Sequence, residues 1–217
     1  MMFSSIRTRA LAFGVLWLLG MAPPLSAEEG RSFKSLEGFS CTSADDARAW
    51  VPMVGSQAVS VTNVAGKDAF RMPCNFQGTD VERASWDHPV REDLAMCRGV
   101  RFLFYCSDAS AVAHFSLYLR SGNGWYRGVF DAPASGQWVP VQVSKADMDV
   151  EGHPAGWSKI DTLRISAWRG QDRDTQFHVA DFAMFGRGAK IVVVRGDSAA
   201  EYADAEMGAV REYTSIM

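Results

Sequence analysis

The chain has 217 residues and a net charge of −3, from 22 Lys plus Arg against 25 Asp plus Glu, with the two signs interspersed. That balance, with no basic tract and no acidic tail, argues against nucleic acid and anionic membrane surfaces as partners. Aromatic residues make up 12%, including seven Trp, more than a small core consumes, so a surplus of rings is expected at a binding surface.

Arg7 and Arg9 precede the apolar run "ALAFGVLWLLGM", which leads through "APPLSA" to the acidic "EEG". A charged start, a short apolar run and a small-residue stretch form the pattern of a signal peptide, here residues 1–27 with cleavage after Ala27. The run is short for a bilayer span, so the expectation is a secreted or periplasmic protein with no stable membrane span. Export permits disulfides, and Cys41, Cys74, Cys97 and Cys106 allow three pairings. Cys74 shares strand parity with Phe70, Met72 and Phe76, and Cys106 with Phe102 and Phe104. Both are expected to face the core, either bridged or as two small buried hydrophobes. No Cys/His spacing suggests zinc.

Over residues 32–187 short alternating runs are broken by turn residues every ten or so positions. The candidate strands are "AVSVTNV", "AFRMPCNF", "GVRFLFYC", "AHFSLYLR", "GWYRGVF", "WVPVQVS", "TLRISAW" and "TQFHVADFAMF". The segments between them, such as "NVAGKD", "CSDAS" and "RSGNG", are rich in Gly, Asp, Asn and Ser, which tolerate positive φ or bond their own backbone. The expected fold is all-β, two packed antiparallel sheets. Residues 188–217 change character. "AKIVVVRGD" reads as a strand buried on both faces and "SAAEYADAEMGAVREYTSIM" as a helix, a βα tail. One strand and one helix cannot bury their own apolar faces, so the tail either begins an incomplete α/β domain or docks on the sandwich.

Alternation also nominates a surface. In "KIDTLRISAWRG", Leu163, Ile165 and Ala167 point to the core, leaving Arg164, Ser166 and Trp168 opposite. The same parity leaves Arg101, Leu103 and Tyr105 outside in "VRFLFYC", and His114, Ser116, Tyr118 and Arg120 outside in "HFSLYLR". Were these strands neighbours, they would present rings beside guanidinium and hydroxyl groups, a surface that suits sugars. A wet sheet face or an interdomain contact would carry the same residue types. Among loop aromatics, Trp125 could form a ligand wall or pack down, Trp86 is equally open, and Trp138 and Trp157 are expected to pack on the sandwich.

The stretch from "LEGF" through "AFRMPCNF", "RASWDHPV", "GVRFLFYC", "SLYLRSGNGWY" and "TLRISAW" to "FHVADFAMFG" resembles the galactose-binding-like β-sandwich superfamily, a jelly roll. It is similar to the carbohydrate-binding-module-like domains of exported bacterial polysaccharide-processing proteins. The resemblance covers about residues 32–187 and implies a non-catalytic module. Its ligand would be a polysaccharide or oligosaccharide, held by Tyr105, His114, Tyr118, Arg164, Trp168 and Trp125, beside a downstream catalytic domain or partner protein. It also implies a structural calcium between Glu37 in "SLEGF" and Asp181 in "VADF", where a hard cation would need six or more oxygen ligands.

Catalysis would need more. Glycoside hydrolysis requires two carboxylates across a cleft, yet the face built from these three strands has none, and the acids of "KADMDVEG" are spaced as a solvated turn. His114, Tyr118 and Arg164 have the residue types of a lyase acting on a uronate, without a specific motif. Nucleophile-elbow, P-loop and dinucleotide motifs are absent.

Overall fold

The computed structural model describes residues 34–132, 136–187, 190–192, 200–204 and 209–213; the expected signal peptide lies outside the described residues. In chain order the elements are β1 (Lys34–Ser35), α1 (Ala44–Arg48), β2 (Val51–Pro52), β3 (Ser60–Val64), β4 (Lys67–Cys74), β5 (Arg83–Glu92), β6 (Cys97–Cys106), β7 (Val112–Phe130), β8 (Val139–Ser144), β9 (Asp149–Pro154), β10 (Ile160–Arg169) and β11 (Thr175–Arg187). The first sheet runs β3-β4-β11-β6-β8, with β1 also paired to β11, and the second runs β2-β5-β10-β7-β9. All of these pairings are antiparallel. This is the all-β antiparallel sandwich that the alternating sequence predicts.

The core lies between the two inner faces. Phe70, Met72, Phe102, Phe104 and Phe177 come from the first sheet, and Trp86, Phe115, Leu117, Leu163 and Ile165 from the second, all buried. Rings meet across the layers, Phe104 on Phe115 at 4.9 Å and Trp86 on Phe177 at 5.7 Å. Truncating one such aromatic to Ala typically costs about 3–5 kcal/mol. The short helix α1 carries a capping box from Ser43 and Asp46. Trp50, directly after it, seals that end of the core against Phe39, Phe70 and His88. No helix among the described residues is long and apolar enough to cross a membrane.

Three segments depart from expectation. "RASWDHPVRE" is a strand, β5, because Ala84, Trp86, His88 and Val90 alternate inward. Pro89 does not break it, since β2 pairs only at Trp86 and Asp87 and leaves one side of β5 open there. Within "KADMDVEG" the acids of Asp149–Pro154 form the edge strand β9 rather than a turn. The tail does not form the expected helix. Residues Lys190–Val192, Ala200–Asp204 and Ala209–Tyr213 are strands β12, β13 and β14 of a separate three-stranded antiparallel sheet. Gly208 lies in the middle of the run that a continuous helix would need, at a cost of about 1 kcal/mol, while Tyr and Val favour strands.

Cys74 lies opposite Thr175 and Cys106 opposite Phe177, so β11 separates them. Two strand spacings put them about 10 Å apart, beyond disulfide reach. All four cysteines are free and buried. Burial pushes the Cys41 thiol up to about 11 and raises Cys74, Cys97 and Cys106 as well. The native protein is therefore expected to resist a thiol reagent at pH 8, and to release four thiols once denatured without reductant. Two or fewer released thiols would show a bridge.

Candidate ligand-binding face

The outer face of the second sheet is organised by β10, which pairs with β5 on one side and β7 on the other. Register places residues in rows across three strands. Arg83, Trp168 and His114 form one row; Ser85, Ser166 and Ser116 form the next. Asp87, Arg164 and Tyr118 form a third, and Pro89, Thr162 and Arg120 a fourth.

In the first row the His114 ring runs nearly parallel to the Trp168 indole, at 5.4 Å and 22°, and the Arg83 guanidinium lies 4.9 Å from the indole centroid. Because Arg83 and His114 come from opposite sides of β10, the indole has a neighbour on each side. The serine row beneath is small enough for it to lean over: Trp168 Nε1–H donates to Ser116 Oγ (3.2 Å), and Ser85 Oγ and Ser166 Oγ are 2.7 Å apart. All three serines are buried in consequence.

In the third row Arg164 grips Asp87 with two parallel bonds, Nε–Oδ1 at 2.5 Å and Nη2–Oδ2 at 2.8 Å. Its guanidinium lies 4.3 Å from the Trp125 ring centroid, a contact whose attraction comes from the ring quadrupole. Trp125 also stands edge-on to Tyr118 at 6.1 Å, covering that buried ring, with Arg120 at 5.7 Å. Trp125 reaches this face through a change of parity. Phe115, Leu117 and Leu119 face the core, but so does Tyr126. The switch falls at Gly122, whose φ of +60° suits glycine. The expected turn "RSGNG" thus lies inside one continuous strand. Gly124 is needed for a second reason, since a Cβ there would strike the Pro154 backbone of β9.

The fourth row and the β9 edge carry more paired charge. Arg120 Nε donates to Asp161 Oδ1 (2.5 Å), and Arg127 lies near Asp149 and Glu151. Partial burial works to raise the Asp161 carboxyl, but bonds from Arg120, Thr162 and the Gly122 N–H hold it below its ordinary range. A cavity of about 520 Å³ opens beside Asp161, lined also by Arg91, Lys159 and Gly122; one of about 480 Å³ adjoins Trp168 at the other end.

Of the residues nominated from sequence, His114, Tyr118, Trp125, Arg164 and Trp168 meet on this face. Tyr105 does not. Its strand β6 belongs to the first sheet, where Tyr105 packs on Trp138 (5.5 Å) and His178 (5.7 Å). Arg83, Ser85 and Asp87 join the face of the second sheet from β5, whose sequence "RASWDHPV" alternates in the same way. Trp86 is core, with Nε1–H on the Gln57 carbonyl, and Trp157 packs on Tyr126 at 3.6 Å.

The residues do not fit the expected calcium. Asp181 is bound by the Lys67 ammonium at 2.8 Å, while the Glu37 N–H donates to Glu92 Oε1 and Glu37 lines a different cavity from Asp181. Among the described residues no three His, Cys, Asp or Glu side chains gather to hold a metal. A lysine charge satisfies the carboxylate that would have led the ligand set.

No family model and no curated protein sequence matches the chain. Its fold is that of carbohydrate-binding modules. The family 11 module of the cellulase Lic26A-Cel5E of Clostridium thermocellum superposes with a TM-score of 0.53 at 10% identity, over 71% of this chain and 95% of that one. The family 11 module from Clostridium thermocellum in complex with a β-1,3-1,4-mixed-linked tetrasaccharide gives 0.50 at 11%, over 64% and 88%. An exo-β-agarase gives 0.52 at 9%, over 69% of this chain and a quarter of the enzyme.

Two outcomes follow. Asp87→Ala would leave Arg164 half-buried without its carboxylate, and urea unfolding is expected to show a loss of about 1–3 kcal/mol, with a changed Trp signal from Trp125. The second concerns His178, whose ring burial and the neighbouring Arg71 hold down to about 4, against about 6.5 when unfolded. A lowered folded value means that its contribution is whole above about pH 6.5 and is lost as pH falls toward about 4. The urea midpoint should drop over that window, and His178→Gln should flatten the drop.

Proposed function

We propose that this chain is a non-catalytic carbohydrate-binding module of an exported polysaccharide-processing protein, taking a glycan chain along the outer face of the second sheet. The observation that carries the reading is the row register, which sets Trp168, Trp125 and Tyr118 beside Arg83, Arg164, Arg120 and His114. Sugars present C–H faces to rings and hydroxyls to fixed donors, and this face supplies both. Its groups are held in place by their neighbours before any ligand arrives, which lowers the ordering cost of binding. From Asp161 to Trp168 the strand spans about 23 Å, room for several linked sugars, with a cavity at each end. The fold supports the reading, and one family 11 module that shares it was solved with a mixed-linked tetrasaccharide.

The arrangement does not favour a lyase. His114 and Tyr118 stand four residues apart on one strand, about 13 Å, and Arg164 is committed to Asp87. The trio does not converge on one reacting atom.

The test is retardation of the protein in gels cast with mixed-linkage β-glucan, agarose or other neutral polysaccharides. Wild type is expected to be retarded by at least one. Trp125→Ala and Arg83→Ala should each weaken that binding about tenfold, equivalent to about 1.4 kcal/mol, with circular dichroism unchanged. Retardation that survives both substitutions would remove the face from glycan binding. A wild type retarded by none would refute the reading and leave protein docking as the use of the face.

A further inference from the structure

The outer face of the first sheet carries a row of its own. Ser60 pairs with Arg71, Arg71 with His178 and His178 with Tyr105, so four adjacent strands contribute one residue each. Trp138, just before β8, closes the row. Its ring lies 5.5 Å from Tyr105 and is anchored by Nε1–H on the Val64 carbonyl.

Two features of this row are unspent. Arg71 donates Nε–H to Gln176 Oε1 at 2.5 Å, and among the described residues no carboxylate pairs with it. On the opposite sheet, by contrast, Arg120, Arg127 and Arg164 each have an acid. The Gln176 bond fixes the plane of the guanidinium and leaves its terminal nitrogens to a ligand. Beside it, His178 is 4% exposed and its buried Nδ1 has no hydrogen-bond partner. An unpartnered buried polar atom next to an unpaired, oriented cation and two half-exposed rings is an arrangement that packing alone leaves unsatisfied.

We propose that Arg71, His178, Tyr105 and Trp138 form a second ligand site, selective for a sugar that bears a carboxylate, a uronate residue. A planar guanidinium with a free edge matches a carboxylate with two parallel bonds. The Tyr105–Trp138 corner supplies ring surface for the pyranose, with the buried His178 ring set edge to face against Tyr105. The site is independent of the face on the second sheet, so the module would hold two chains, or two stretches of one chain, on opposite sides.

The full chain is tested by affinity gels containing polygalacturonate or alginate, with carrageenan as a sulfated control and mixed-linkage β-glucan as a neutral one. The expected result is retardation by a uronan at low salt, weakened at least tenfold by Arg71→Ala and by Tyr105→Ala and unchanged by Trp168→Ala. Arg71→Lys, which keeps the charge without the fork, should recover only part of it, and circular dichroism checks that each variant folds. The proposal is overturned if wild type ignores both uronans, if carrageenan is held as well as they are, or if uronan binding is lost in Trp168→Ala and kept in Arg71→Ala. Loss of β-glucan binding alone would instead count against the face on the second sheet.

Discussion

The register of β10 between β5 and β7 is the constraint on which the rest of the second sheet depends. A period of two sends Leu163, Ile165 and Ala167 into the core and Arg164, Ser166 and Trp168 outward, and the antiparallel partners extend each outward position into a row. A slip by one residue would expose the three apolar side chains and bury a guanidinium and an indole. The core therefore fixes the face: packing of Phe115, Leu117 and Trp86 against the opposite sheet determines which residues stand beside Trp168.

Charge on that face is organised rather than plentiful. Arg164 is tied to Asp87, Arg120 to Asp161 and Arg127 to the acids of β9, so each guanidinium has a fixed plane. Several of these pairs are partly exposed and add little stability. Their effect is orientation. The rings are treated likewise: Trp168 is held between His114 and Arg83 and Trp125 beside Arg164, so each ring has a fixed orientation.

Much of this was legible in the sequence. Alternation gave the sandwich, the core parity of Cys74 and Cys106, and the outward position of His114, Tyr118, Arg164, Trp168 and Tyr105. Parity says that a side chain points out; it does not say out of which sheet, and Tyr105 fell on the other one. Trp125 was uncertain because Gly122 reverses parity within a strand that reads as two. Arg83 and Asp87 were hidden by Pro89, whose tolerance depends on β2 being only two residues long. Lys67, distant in sequence from Asp181, could not be foreseen as its partner, and the tail's Ala- and Glu-rich composition concealed its strands.

Gly122 also makes chain length itself informative here. Surface segments of the kind "RSGNG" suggests usually absorb insertions and deletions with little effect, because nothing downstream depends on their count. This one sits inside a strand whose two halves pair with different neighbours, β10 before it and β9 after it. Removing a single residue between Ser121 and Gly124 together with the break at Gly122 would restore uninterrupted alternation and leave Tyr126 inward and Trp125 outward; removing either one alone would carry Trp125 inward and turn Tyr126 out. What the segment transmits to the rest of the molecule is the combination of one extra residue with one positive φ, and a homologue that kept every ring and arginine but lost only one of the two would present a different surface.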